Sequence, residues 1–194
     1  EADCTAYARS VDFESADSIV AWTDRNGLFH RRTFVSRAHD VVIVELKSPS
    51  GAPCSASLEL ARIERDLDHA FYDKVVKDTQ RTVDSDFLSF RVELNKMSDD
   101  QRLRGYCVGM RVVTTGGEKC VEGGRMNVER AERICLLIDV KPDFADGHAD
   151  AGAIRKKLQG LAPRYDDLLA AHAAIHAELF NRISLNLCER HTEQ

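Results

Sequence analysis

The stretch VIVELK at Val42–Lys47 places apolar side chains at every second position, with Val42, Val44 and Leu46 on one face. A period of two is typical of a half-buried β-strand, because successive side chains of a strand point to opposite sides. The same alternation recurs in three further segments: Leu88–Leu94, Tyr106–Val112 and Ile134–Val140. The chain is therefore predicted to consist mainly of β-strands.

Turn residues separate these strand-like segments. The run RNG at Arg25–Gly27 lies between two of them, and Asn-Gly in that position is a strong hairpin signal. Gly116–Gly117 and Gly123–Gly124 also favour hairpin turns over a phosphate-binding loop, since no helical pattern follows either pair at once. Short strands with turns at this spacing indicate an antiparallel β-sandwich. We expect this sandwich to occupy residues 1–141.

The period changes to 3.6 after Pro142, so residues 142–194 are predicted to form a helical linker. Asp150–Leu161 has the length of a short helix, and Arg164–Ile183 has the pattern of a longer one. One face of the longer helix carries Tyr165, Leu168, Leu169, His172, Ile175, His176, Leu179, Phe180 and Ile183. That face is wide for a helix packed on one sheet, so we expect it to lie between two bodies. Upstream, the charged segment Glu64–Thr82 is predicted to be a short helix or a long loop.

The composition is that of an ordinary globular chain. Of 194 residues, 43% are hydrophobic and 30% are charged. A net charge of -5 gives no basic footprint for nucleic acid, and no apolar run has the length that crosses a bilayer. We therefore expect neither a nucleic-acid partner nor a membrane.

The six cysteines show no CxxC or Cys/His ligand spacing, so the sequence supports no zinc site. Cys107 and Cys135 lie within apolar strands, where buried free thiols are expected. The first residues, from Glu1, lack the basic and apolar regions of a signal peptide. Together these features slightly favour a cytoplasmic location, and the compartment stays open.

Histidines are the first candidates for chemistry. His172 and His176 have the i, i+4 spacing that two metal ligands on a helix would use. Ala173 stands where an HExxH motif has its glutamate, and no third ligand is visible, so a role in helix packing is favoured. His30 and His39 have no visible partner base or nucleophile and are also predicted to be structural.

Carboxylates and aromatic residues give no catalytic pattern either. Asp99–Asp100 is typical of a solvated loop, and Asp166–Asp167 of a helix start, where acidic residues favour the helix dipole. Trp22, Phe29 and Phe34 are candidates for a sugar-stacking platform, but aromatic residues on strands are more often part of the core. We therefore assign no catalytic residue, no metal ligand and no cofactor, and leave substrate-binding residues open.

Several segments in collinear order resemble the N-terminal domain of family 95 glycoside hydrolases. Tyr7–Ala16 (YARSVDFESA) resembles the opening strand Y-x-R-x-L-D-L-x-x-A of that domain, and Phe29–Ser36 (FHRRTFVS) is similar to Y-x-R-E-x-F-x-S. Further similar segments are Asp40–Leu46, Val112–Asn127, Leu168–His172 and Leu179–Leu187. Each segment alone is a weak match, whereas their shared order covers Tyr7–Leu187.

This resemblance implies a β-sandwich followed by a helical linker that leads into an (α/α)6 barrel. It also implies an inverting glycoside hydrolase that acts on α-L-fucosides or related α-galactosides, with its catalytic acid in the barrel. The chain stops at Gln194, where that barrel would begin, so no catalytic residue carries over to this chain. We therefore expect the chain alone to be inactive.

Two functions follow as hypotheses. The leading one is a non-catalytic N-terminal domain, present as a fragment or a subunit, that braces a catalytic barrel in the same protein or in a partner subunit. The alternative is a freestanding carbohydrate-binding β-sandwich module. An exposed row of aromatic side chains would favour the second, and an apolar helix face without a partner would favour the first.

Overall fold

A computed structural model of the chain describes residues 4–61, 73–144 and 149–183. The described strands are β1 (Thr5–Asp12), β2 (Asp17–Asp24), β3 (Gly27–Ser36), β4 (Val41–Lys47), β5 (Cys54–Leu58), β6 (Val76–Val83), β7 (Phe87–Leu94), β8 (Leu103–Thr115), β9 (Glu118–Glu122), β10 (Arg125–Ala131) and β11 (Arg133–Phe144). Two helices follow, α1 (Ala151–Gln159) and α2 (Tyr165–Phe180). The predicted mainly β fold is confirmed.

The strands form two antiparallel sheets. Eight of them pair in the order β1-β2-β3-β4-β11-β8-β7-β6, and three pair in the order β5-β10-β9. The predicted hairpin at Arg25–Gly27 joins β2 to β3, with Asp24 paired to Gly27. The predicted glycine turns lie at the two ends of β9, and all four of those glycines have positive φ.

The large sheet lies in the middle of the molecule and is covered on both faces. One face packs under the helices, in a core of Phe34, Val41, Ile43, Phe87, Cys107, Cys135, Leu137, Ala149, Ile154, Leu158, Tyr165 and Leu168. The other face packs on the three-stranded sheet, in a core of Phe29, Cys54, Leu88, Met110, Val112, Met126, Val128, Ala131 and Ile134. The sandwich is therefore unequal, with helices as its third layer.

The VIVELK stretch, which forms β4, is more deeply buried than the predicted half-buried strand. Its supposedly polar face, with Ile43 and Glu45, is almost wholly buried beneath the helices. Glu45 is tolerated there because its carboxylate pairs with Lys47 at 3.2 Å and with Arg133 at 3.7 Å. Glu45, the acidic residue in the alternating pattern, thus belongs to a buried ion pair and not to a solvent-exposed face.

Helix α1 packs closely on β8 because Gly109 has no side chain. A Cβ atom on Gly109 would lie 2.4 Å from Ile154 Cγ2 and 2.8 Å from Phe87 Cζ. Asp150 caps the helix by accepting hydrogen bonds from the backbone N–H groups of Gly152 and Ala153. At the opposite end, the guanidinium of Arg111 donates to the carbonyl of Leu158 at 3.0 Å. Both ends of the helix are therefore satisfied.

Two segments depart from the sequence-based expectations. Within Glu64–Thr82, residues 64–72 lie outside the described part, residues 73–75 are helical, and the strand Val76–Val83 at the sheet edge was not expected. Strand β11 continues through Pro142 to Phe144, past the boundary expected at residue 141. Pairing of β11 with β4 ends at Ile138, and beyond it no other described strand pairs with that side of β11, so proline is tolerated there.

Candidate functional site

The first half of α2 is anchored on the large sheet. Tyr165 is buried, and its hydroxyl donates to Asp17 Oδ1 at 2.8 Å. Arg32 donates to Asp17 Oδ2 at 2.6 Å and to Asp166 Oδ1 at 2.8 Å, and its guanidinium lies 4.4 Å from the Tyr165 ring centroid. Burial, with a smaller contribution from Asp17, raises the pKa of Tyr165, so the phenol stays protonated. Asp166, predicted to mark the helix start, is thus an anchor.

The predicted histidine pair lies where α2 crosses the turn after β3. The backbone N–H of Arg37 donates to His172 Nδ1 at 3.1 Å, and Arg37 Nε donates to His176 Nδ1 at 3.3 Å. His176 Nε2 lies 3.0 Å from the Phe13 carbonyl oxygen, and the His172 ring stacks on Phe34. Both Nδ1 atoms accept hydrogen bonds from Arg37, so the pair helps to hold the helix against this turn.

No three His, Cys, Asp or Glu side chains within the described residues are grouped closely enough to hold a metal ion. His30 lies half-buried on β3, and the backbone N–H of His39 donates to Ser36 Oγ in the following turn. Within the described residues, neither imidazole ring hydrogen-bonds to a nucleophilic side chain, and the contact of His39 with Ser36 is through its backbone. The described helices are also too short or too polar to cross a membrane.

The apolar stripe of α2 is continuous, but only its first half is covered. Leu168, His172, Ile175 and Leu179 follow the i, i+4, i+7, i+11 spacing of one helix face. Leu168 and His172 are buried, whereas Ile175 and Leu179 are each 41% exposed. The first half of the helix is therefore covered and the second half is open, whereas the wide apolar arc suggested one covered side and one open side.

Four large side chains form an exposed apolar surface at the far end of α2, which we call the helix patch: Ile175, Leu179, Phe180 and Phe13. Phe180 stacks on His176, and His176 Nε2 lies 3.0 Å from the backbone carbonyl oxygen of Phe13, so the backbone of Phe13 lies beside this end of α2. Phe13 is 70% exposed. Adjoining apolar side chains of this size on a surface are typical of a site that contacts another protein body.

The buried carboxylates of the helix-facing side are all ion-paired. In addition to Asp17 and Glu45, Asp139 pairs with Lys157 at 3.0 Å and Asp143 pairs with Arg91 at 2.6 Å. Inverting glycoside hydrolysis needs two carboxyl groups that flank an open site with room for a water. Each of these carboxylates is neutralised by a cation, and Asp17 and Asp139 are bound by side chains of the two helices, so those two stabilise the layer contact.

The other acidic pair named from the sequence is exposed. Asp99 pairs with Lys96 at 2.7 Å in the loop before β8, and a hydrogen bond from Ser98 is the main cause of the lowered pKa of Asp100. Asp167 pairs with Arg164 at the start of α2. All three are surface groups, as predicted.

The three aromatic residues considered as a sugar platform do not share a face. Phe29 is buried against the three-stranded sheet, and Phe34 is buried on the opposite face under α2. Trp22 stacks on Phe29 and lines a groove of about 620 Å³ beside β5. Aliphatic side chains make up most of that groove, with Arg31 and Thr33 among its polar members. Of the three candidate rings for a sugar platform, only the half-buried Trp22 lines this groove.

Comparison with known proteins gives a family and a fold. Residues 1–147 match the model of the N-terminal domain of glycosyl hydrolase family 65. No curated protein matches the chain. A solved structure described as a kojibiose phosphorylase from the human microbiome shares the fold, with a TM-score of 0.59 and 10% sequence identity. The match covers 93% of this chain and 25% of that one, so the chain spans about a quarter of its length.

These findings confirm the resemblance to a glycoside hydrolase N-terminal domain and correct its family, which is 65 where the strand motifs had suggested 95. They lend no support to an α-L-fucoside specificity. Short strand motifs indicate a fold, and one fold can occur in families of different activity. The chain belongs to glycosyl hydrolase family 65, as its N-terminal domain.

Proposed function

We propose that this chain is a non-catalytic domain that braces the catalytic domain of a glycoside-cleaving enzyme, and that the helix patch is its docking surface. The observation that carries the proposal is the half-covered stripe of α2. Tyr165 and Leu168 fix one end of the helix to the sheet, while Ile175, Leu179 and Phe180 remain exposed at the other.

The energetics favour a permanent partner for this surface. Fully burying one large apolar side chain contributes roughly 1.5–3 kcal/mol relative to leaving it exposed. Phe13, Phe180 and Leu179 are each at least 41% exposed in the chain alone, so a partner can recover part of that free energy. Because α2 is already anchored, docking orders little additional backbone.

The partner we propose is the catalytic domain, in the same protein or in an associated subunit. The family model describes an N-terminal domain, and the structure that shares the fold is four times as long as the aligned part. Among the described residues, the buried carboxylates are paired with cations and Asp99 lies in a surface loop, which supports a catalytic site located elsewhere.

The substrate class belongs to that catalytic domain. The strand motifs suggest α-L-fucosides or related α-galactosides, and the fold shared with a kojibiose phosphorylase suggests a disaccharide such as kojibiose. Of these, we propose a glycoside of the second kind, since the family match supports family 65. Assay of the complete enzyme against both substrate classes, with and without phosphate, separates them.

A carbohydrate-binding module is the second candidate function. The groove beside Trp22 favours it, because an indole ring can stack on a sugar face while Arg31 and Thr33 bond to hydroxyl groups. Calorimetric titration of the isolated chain with oligosaccharides tests this function. Binding that is lost in Trp22→Ala would support the module, and absence of heat would leave the bracing domain as the function.

Sedimentation of the isolated chain tests the docking surface. An exposed helix patch promotes self-association, and Leu179→Asp should weaken it because a carboxylate in an apolar interface is desolvated without a partner. Ala174→Asp is the matched control, since Ala174 is exposed on the opposite side of α2. We expect Leu179→Asp to be monomeric at concentrations where the wild type and the control associate. Three monomeric proteins of equal thermal stability would contradict the proposal.

A further inference from the structure

His172 is an almost wholly buried titratable group that the docking surface does not use. Its side chain is 2% exposed, and its ring stacks on Phe34 with centroids 5.2 Å apart. Nδ1 accepts the backbone N–H of Arg37, so the neutral ring carries its proton on Nε2. Within the described part of the chain, Nε2 makes no hydrogen bond of normal geometry.

We propose that His172 and the backbone N–H of Arg37 form a pH-sensitive latch, which releases α2 from the sheet on mild acidification. A second ring proton has to be placed on Nδ1, where it would face the N–H donor of Arg37. Two donors cannot bond to each other, so the contact is lost. The resulting imidazolium is then a buried cation beside the Phe34 ring.

The groups around His172 add to this effect. His176 lies one helical turn away, and the Arg37 guanidinium bonds to it, so a positive charge on either neighbour opposes a charge on His172. The turn between β1 and β2 presents the carbonyls of Phe13 and Ser15. Asp40, in the turn after β3, is paired with Lys141 at 3.1 Å. Asp17, beneath the start of α2, is held by Arg32 and the Tyr165 hydroxyl.

The hydrogen bonds and ion pairs described thus leave no carboxylate bound to His172. Burial first, and then the charges of His176 and Arg37, lower the pKa of His172, while the Ser15 carbonyl opposes them weakly. The released helix therefore binds a proton more tightly than the latched one. The latch is intact above the ordinary value of 6.5, and it weakens as the pH falls from there toward the lowered pKa.

The consequence for the enzyme rests on the proposed function, whereas the latch itself does not. Helix α2 carries Ile175, Leu179 and Phe180, so its release would disorganise the helix patch. The domain contact would then weaken in the same pH range in which the latch opens.

Thiol labelling of the 194-residue chain tests the latch directly. Cys135 lies in the core beneath the helices, and Cys54 lies in the core on the other side of the sheet. Burial raises the pKa of Cys135 to about 11, so an acid-active reagent such as 4,4′-dipyridyl disulfide is required. The chain is pulse-labelled between pH 7.5 and 5.0, and the Cys135 to Cys54 labelling ratio is read by mass spectrometry. Global unfolding raises both rates and leaves the ratio unchanged.

We expect the ratio to rise as the pH falls in the wild type, by at most about tenfold per pH unit for one proton. It should stay flat in His172→Phe, which keeps the stacked ring, and in His172→Asn, which keeps an acceptor. The control His176→Asn should retain the response. A flat ratio in the wild type, or an equal rise in both His172 variants, would overturn the proposal.

If neither His172 variant folds, the NMR titration of the His172 ring in the wild type decides. A pKa below the ordinary value, with exposure of Cys135 in the same pH range, supports the latch. A pKa at or above the ordinary value overturns it. Neither measurement depends on a catalytic domain, so its outcome is separate from that of the docking proposal.

Discussion

At the scale of single residues, the contact between α1 and β8 depends on the missing side chain at Gly109. The neighbouring atoms of Ile154 and Phe87 belong to buried side chains in the helix-facing core, which has little freedom to move. The glycine therefore sets how closely the helix approaches the sheet, although its backbone φ is ordinary.

Gly109→Ala should destabilise the chain by about 1–3 kcal/mol, because a new Cβ overlaps Ile154 Cγ2. Urea denaturation measures the loss. In the double variant Gly109→Ala/Ile154→Ala the two effects should be clearly less than additive, since the truncated side chain leaves room for the new methyl group. Strict additivity would show that the overlap is relieved elsewhere.

A second residue-scale prediction concerns the anchor of α2. Tyr165→Phe removes the hydrogen bond to buried Asp17 and should cost about 1.5–3 kcal/mol, the range for bonds to charged groups. Urea denaturation again measures the loss. Asp17→Asn in the Tyr165→Phe background should then add less than it does in the wild type. Equal losses in both backgrounds would mean that the hydroxyl does not stabilise the carboxylate.

At the scale of elements, periodicity predicted most of the strands and both helices. The sequence placed the longest helix within Arg164–Ile183, and α2 spans Tyr165–Phe180. It missed β6, because the charged residues of Val76–Val83 suit an exposed edge strand and carry no alternation. It also misassigned the polar face of β4, since pairing of Glu45 with Arg133 depends on a neighbouring strand 88 residues along the chain.

Residue spacing also predicted part of the candidate site. The apolar stripe of α2 can be read from the residue spacing, which predicted a helix between two bodies, whereas the exposed part of the stripe lies at one end of the helix. Where the covered part of the stripe ends depends on the turn that carries Arg37, and no local pattern shows it. The spacing of His172 and His176 was visible, but their role as acceptors for Arg37 needed the tertiary contact.

At the scale of the whole molecule, two sheets of unequal size and a third layer of helices form a framework in which the buried carboxylates of the described residues are ion-paired. We predict that the purified chain does not hydrolyse aryl α-L-fucosides. The expected result is a rate equal to the buffer blank. Turnover that survives rigorous purification and is lost in Asp139→Asn would contradict this, because that carboxylate is assigned here to an ion pair with Lys157.

The central claim is that the open half of α2 is covered by a catalytic domain. Hydrogen–deuterium exchange of the isolated chain and of the complete enzyme, compared over residues 175–183 at pH 7.5, tests it most directly. We predict slower exchange in the complete enzyme, by about tenfold or more, while the already buried segment 165–172 changes little. Equal exchange over residues 175–183 in both proteins would contradict the claim.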